Sequence, residues 1–207
     1  MSRQTSRETY PMMADLLAPA EQGVAKVEHI IVTKEDVARA SWGSVDRYAE
    51  TKPGRYASLR VKGRLMMTDT DMERTTNLDF VRRATGDVLV AGLGLGMVLH
   101  PICAKPDVRS VTVIEKYAEV TDLVRASLPN HRALHVVTAD IFDWKPAKGV
   151  KYDAIYFDIW PDLTSDNLPQ MGTLHRRFSR RLNRTNPACW MGSWRRDFCR
   201  MLAQRGM

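Results

Sequence analysis

The chain has 207 residues, 44% of them hydrophobic and 27% charged, a composition that buries a core and excludes a disordered segment. No apolar run approaches 18 residues, and Met1-Ser2-Arg3-Gln4-Thr5-Ser6-Arg7 leads into no long apolar stretch, so neither a membrane span nor a secretory signal is expected. Lys and Arg number 31 against 24 Asp and Glu, and the net charge of +7 suits either a phosphate-bearing partner or a merely soluble surface.

Three cysteines, Cys103, Cys189 and Cys199, have no CxxC spacing and are odd in number. A disulfide framework or zinc site is therefore not expected, and a reduced, cytoplasmic setting is.

In chain order, the first 20 or so residues read as a loosely structured lead-in, and Val24 to Val32 as a strand. Arg55 to Val61 and Arg64 to Thr70 are two β-like runs separated by Lys62-Gly63, the spacing of a tight hairpin. Thr70-Asp71-Met72-Glu73 fits a capping box, which predicts a helix from about Asp71 to Ala84.

From Asp87 the pattern becomes strand–helix alternation. Val88–Ala91, Val111–Ile114, Leu134–Val137 and Ala154–Phe157 are apolar runs of the kind found in strands buried on both faces. Helices are expected over Met97–Ala104, Ala118–Leu128 and Leu168–Leu182, a fifth strand over Ala188–Met191, and a last helix capped by Ser193 and stopping at Gly206. This order means βαβ units: an α/β fold with a Rossmann-like, mostly parallel sheet flanked by helices. The expected organisation is an N-terminal extension over 1–84, with a small hairpin and a helix, and a Rossmann-like domain over 85–207 with a shortened C-terminus. The fifth strand would then be a sheet edge, covered by the N-terminal segment or by a second copy in a homo-oligomer.

The chemistry-bearing residues fall at the ends of these strands. Gly92-Leu93-Gly94-Leu95-Gly96 follows the first core strand, where glycine permits a tight turn and close backbone approach. Met97 occupies the last glycine position of a dinucleotide fingerprint, so the spacing is GxGxG. Glu115 ends the second strand, 19 residues past Gly96, where a carboxylate accepts from ribose hydroxyls. Asp140, followed by Ile141, ends the third and can accept from an adenine amino group. Asp158 ends the fourth, in Asp158-Ile159-Trp160-Pro161-Asp162. Any one acid could be a helix cap. The ordered set converges on one crevice, since open parallel sheets bind ligands at the carboxyl ends of their strands.

This set resembles the motifs of class I, Rossmann-like, S-adenosylmethionine-dependent methyltransferases over about residues 86–192. With the hairpin and helix ahead of the glycine loop it is similar to the spermidine synthase branch, over about three quarters of the chain. The resemblance implies S-adenosylmethionine as cofactor, with Gly92, Gly94 and Gly96 approaching its methionine part, Glu115 its ribose, and Asp140 with Ile141 its adenine. Asp158 would be catalytic, holding or deprotonating the acceptor, and Trp160 and Asp162 would bind substrate. The departures lie on the substrate side. Aminopropyltransferases carry an Asp-Ser-Ser-Asp-Pro-like run after the fourth strand, a Gln near the second hairpin strand and Tyr-His-Glu on the next helix. Here those places hold Asp158–Asp162, Met66-Met67 and Thr75-Thr76-Asn77. A polyamine pocket needs paired acids, so methyl transfer to an unidentified acceptor is favoured over aminopropyl transfer. A non-catalytic or cofactor-cleaving protein with a basic docking face is the further alternative.

That basic face is local. On the predicted helix Leu168–Leu182 and just beyond it, Arg176, Arg177, Arg180, Arg181 and Arg184 fall within about 140° of arc. Such a stripe is either a solvated face or a docking surface for an anionic or nucleic-acid partner. Arg195, Arg196, Arg200 and Arg205 follow on the last helix.

Overall fold

The computed structural model describes residues 10–39 and 51–206; the start Met1–Arg7 lies outside the described residues. The chain divides into two compact units that interleave along the sequence. The first comprises Met1–Leu78, Gly94–Pro101 and Ala118–Pro129, and the second Asp79–Leu93, Ile102–Tyr117 and Asn130–Met207.

The first unit holds an antiparallel sheet of β1 (Ala20–Gln22), β2 (Ala25–Val32), β3 (Gly54–Val61) and β4 (Arg64–Thr68), in that order. The expected hairpin is one edge of this larger sheet. Lys62 and Gly63 have φ of 51° and 76°, the two positive values of a tight primed turn that matches strand twist. Pairing slips between Leu59↔Met67 and Arg60↔Leu65, so Met66 is an extra residue that kinks β4. The lead-in is more ordered than its composition implies. Met13–Leu16 forms a short helix, α1, and Tyr10, Met13 and Leu17 are buried. A second short helix, α2 (Lys34–Arg39), follows β2. The lead-in is held by Arg74, near the start of α3 (Asp71–Arg83), whose guanidinium donates to the carbonyls of Tyr10 and Pro11.

The second unit is built on a parallel sheet of β5 (Gly86–Ala91), β6 (Val108–Glu115), β7 (Leu134–Thr138), β8 (Ala154–Phe157) and β9 (Trp190–Ser193). Its order is β7-β6-β5-β8-β9 and every pairing is parallel. Numbered within the sheet, that is 3-2-1-4-5, with the reversal of winding between β5 and β8. The central strands are apolar throughout because both faces are covered. On one face Phe80 of α3 stacks on Tyr156, centroids 4.2 Å apart, with Trp190 beside both. On the other, Ile155 and Phe157 pack with Met171, Leu174 and Phe178 of α6 (Leu168–Phe178).

Helices are shorter than their sequence patterns. The glycine loop runs on to residue 98, so α4 is only Leu99–Cys103. α5 (Ala118–Val124) and α6 each tighten into a 3-10 turn, over Arg125–Ser127 and Ser179–Arg181. β9 begins two residues later than expected because Asn183 and Asn186 are drawn into a turn by Asp153. Ser193 does not cap the last helix, α7 (Arg196–Gln204): it pairs with Phe157 in β9, and left-handed Arg195, φ 50°, stands at the cap. The strands of the first sheet pair among themselves, and among the described residues none pairs with β9.

Asp153, at the amino end of β8, ties this unit together. One carboxylate oxygen accepts from the Asp87 amide (2.9 Å) and Arg109 (2.7 Å), the other from the Asn183 and Asn186 side chains (2.8 and 2.9 Å). Burial pulls its pKa up, but these donors and the Arg109 charge outweigh it and hold the carboxyl below the usual range. Its stabilisation is therefore complete above the ordinary Asp pKa, about 4, and is lost as pH falls through the lower folded value. Asp153→Asn sets an amide NH₂ against one pair of donors whichever way it turns. We expect about 1–3 kcal/mol lost at pH 7 and a flatter decline below pH 4, read from urea midpoints at pH 7 and 3.5.

Candidate active site at the carboxyl ends of the parallel strands

The chain leaves β5, β6, β7 and β8 on the same edge of the sheet, so Gly92, Glu115, Asp140 and Asp158 meet along it. The ladder continues past the strands: Gly92 N–H donates to the Ile114 carbonyl (2.9 Å), Ala139 N–H to Glu115 (2.8 Å) and Asp158 N–H to Ala91 (2.8 Å). Gly92 and Asp158 flank the reversal between β5 and β8, where an open α/β sheet splays apart and leaves a crevice.

Gly92, Gly94 and Gly96 have φ of 96°, 54° and 76°. Each also has a steric reason to lack a side chain. A Cβ on Gly92 would stand 2.0 Å from the Asp158 carbonyl oxygen, and one on Gly96 2.8 Å from Leu128. In the first unit, a Cβ on Gly94 would meet Met67 Sδ at 2.1 Å, and the Leu95 amide donates to that sulfur at 3.1 Å. Met67, which sequence reading noted only as a departure, therefore lies on the loop. Its signal was weak because a half-buried Met on a strand ordinarily means packing.

Glu115 is buried, and its two oxygens accept the Leu93 and Tyr117 amides at 2.9 Å each. The carboxylate thus fixes the first turn of the glycine loop. Asp140 accepts the Phe142 amide at 2.9 Å on one oxygen and Lys116 at 2.8 Å on the other. The Lys116 hydrogen bond, helped by the Phe142 amide, holds its carboxyl below the usual range against partial burial.

The loop after Asp140 is gripped from α6. Arg177 donates to the carbonyls of Ile141, Phe142 and Trp144, and Trp144 stacks on Phe178. The Ile141 side chain is buried in the core beside Phe178. Arg181 likewise donates to the Ala147 and Val150 carbonyls. Two arginines of the stripe are thus committed to the protein's own backbone, while Arg176, Arg180 and Arg184 are exposed. Spacing alone cannot separate these roles, because both are amphipathic.

Asp158 is half-buried at the edge. Trp160 turns into the core, 6% exposed, its indole N–H donating to Gln170 at 2.8 Å. Asp162 is exposed, and its carbonyl accepts from the Asn167 side chain. His100 is half-buried, and burial pushes its imidazole below the usual pKa. Among the described residues no group of His, Cys, Asp and Glu could hold a metal ion, and no helix is long and apolar enough to cross a membrane.

No family model and no curated protein matches the chain. Solved structures do. It is similar to spermidine synthase from Thermotoga maritima at 14% identity over 80% of this chain and 53% of that one (TM-score 0.47). It is similar to the CcbJ methyltransferase from Streptomyces caelestis at 19% identity over 57% and 47% (TM-score 0.44). It is also similar to the N-methyltransferase NodS from Bradyrhizobium japonicum, in complex with S-adenosyl-L-homocysteine, at 18% identity over 41% and 43% (TM-score 0.35). The chain spans about half the length of these structures. By its own strand order and wholly parallel pairing, the chain has a Rossmann-like α/β fold.

Proposed function

We propose that the protein binds S-adenosylmethionine at the carboxyl edge of its parallel sheet and transfers the methyl group to an acceptor held by Asp158. The observation that carries this reading is that Gly92 and three acids, in strand order, lie along one edge of the sheet, with Gly92 and Asp158 flanking its reversal point. The residues fit such a cofactor. Gly92 brings backbone close without a side chain, the buried Glu115 carboxylate is fixed at its strand end by two amides, and Asp140 is held ionised by Lys116 as an acceptor for an amino group.

When bound, the cofactor supplies a methyl group already activated by its sulfonium. The protein's task is then alignment of the acceptor and management of one proton. Asp158, fixed through its backbone to Ala91, accepts a hydrogen bond from an acceptor amine or hydroxyl and takes its proton as the new bond forms. Trp160 supports the loop that carries Asp158 from within the core, and its burial favours that role over stacking on a substrate. Asp162 and the exposed Arg176, Arg180 and Arg184 are left to meet the acceptor or an anionic partner.

Asp158→Asn is expected to lower methyl transfer by about 10²–10⁴-fold with cofactor affinity retained. Asp140→Ala should do the reverse, weakening cofactor binding about 10- to 100-fold through loss of a charged hydrogen-bond acceptor. Mass spectrometry of products from cofactor plus cell extract identifies the group moved: a methylated product supports this reading, an aminopropylated one overturns it, and free cleavage products with no adduct overturn it too.

A further inference from the structure

β9 ends at Ser193, whose register partner is Phe157, the residue before Asp158. The Ser193 hydroxyl lies 2.9 Å from His175 Nε2 on α6, and His175 Nδ1 lies 3.0 Å from Arg196 Nη1 on α7. A guanidinium has no lone pair, so Nδ1 accepts from Arg196 and the ring hydrogen is on Nε2, donated to Ser193 Oγ. The Ser193 hydrogen is left to donate outward. Arg200 stands one turn beyond Arg196 on the same helix face, so two like charges are neighbours, an arrangement that costs free energy on its own.

The acid beside them, Asp197, is exposed and offsets them only weakly. Among the described residues Arg196 has no carboxylate partner, and its Nε is buried without a hydrogen bond. Arg200 meets Asp197 at 3.2 Å, but with 53% and 95% of the two side chains exposed that pair is weak. Burial, then the Arg196 and Arg200 charges, keep His175 neutral down to a pKa of about 4. Arg195 faces elsewhere, over the Phe198 ring at 4.6 Å. The cluster therefore matches one anionic group and lacks the row of cations that a nucleic-acid backbone engages.

We infer that Ser193, Arg196 and Arg200, backed by His175, bind a phosphate or carboxylate group carried by a small-molecule acceptor. The anion site stands on this cluster alone; that its occupant is the acceptor rests on the methyltransferase reading. Arg196 and Arg200 share one helix face and Ser193 is joined to Arg196 through His175, so an anion bound there relieves the repulsion between the two arginines.

The test is titration of the full chain with inorganic phosphate and, separately, acetate, following the His175 ring and arginine Nε–Hε signals by NMR. Saturation by phosphate assigns a phosphate group and saturation by acetate alone a carboxylate. In either case the His175 pKa rises, because the anion offsets the Arg196 and Arg200 charges. Arg200→Gln, at an exposed position, should weaken binding about tenfold through loss of one charge-assisted contact. Arg132→Gln, at an exposed arginine outside the cluster, should bind as the unmodified chain does. No saturation by either anion, or equal weakening in both variants, overturns the site. Calorimetry with S-adenosylmethionine on the same Arg200→Gln protein keeps the two readings apart. Phosphate binding without cofactor binding removes the methyltransferase reading, and the converse removes the anion site alone.

Discussion

Gly92→Ala should abolish S-adenosylmethionine binding and destabilise the fold by about 2–5 kcal/mol, whereas Gly63→Ala should cost only about 1–2 kcal/mol and leave binding intact. Both glycines have positive φ, 96° and 76°, so both substitutions carry the left-handed penalty of an L residue. They differ in what a Cβ meets. At Gly63 nothing lies within 4 Å; at Gly92 the Asp158 carbonyl oxygen is 2.0 Å away and its carbon 2.9 Å. Those are backbone atoms at the end of β8, and they cannot give way without prising β5 from β8, whose Ala91↔Phe157 pairing ends one residue earlier. The crevice at the reversal point would open at the place where Asp158, the proposed holder of the acceptor, must be fixed. Urea midpoints and cofactor calorimetry on both variants measure the difference, and equal stability losses would mean that the contact with Asp158 does not matter.

Removal of Arg74 is the other large effect. Arg74 and Asp69 form an ion pair whose side chains are both 0% exposed. The guanidinium donates to Asp69 Oδ2 at 3.2 Å and to the carbonyls of Asp69, Tyr10 and Pro11 at 2.6, 3.1 and 2.6 Å. The carboxylate also accepts the Met13 and Ala57 amides at 2.6 and 2.7 Å. Arg74→Ala leaves that carboxylate without its cation and three carbonyls without donors, and should cost about 3–5 kcal/mol. Arg74→Lys should recover little, since one ammonium cannot span three carbonyls and a carboxylate. Thermal unfolding of the two variants decides this; a loss below about 1 kcal/mol would show the pair to be no more than a surface-type contact.

How much of this was legible in the sequence follows from the range of the interactions. Hairpin, parallel sheet and strand-end acids were readable because each is a local pattern: Lys62-Gly63 between β runs, four apolar stretches, and Gly92, Glu115, Asp140 and Asp158 at their ends. Boundaries failed where a distant group captured a local one. Ser193 has the chemistry of a helix cap, but β9 pairing and His175 claim it, and the turn before β9 is held by Asp153 some 30 residues earlier. Arg177 and Arg181 read as exposed charge because their carbonyl partners lie 31 to 36 residues away. The ordered lead-in was missed for the same reason: its partner, Arg74, is 64 residues from Tyr10.

These long-range contacts also sort the basic residues that give the chain its +7 charge. Some arginines, such as Arg74 and Arg177, hold the fold, and others, such as Arg176 and Arg180, are exposed.

The most direct measurement is isothermal calorimetry of S-adenosylmethionine with the unmodified chain and with Asp140→Ala. Saturable binding that weakens about 10- to 100-fold in the variant is the predicted result. No binding to the unmodified chain at millimolar cofactor, or equal affinity in the two proteins, would contradict the assignment of the strand-end acids to a cofactor site.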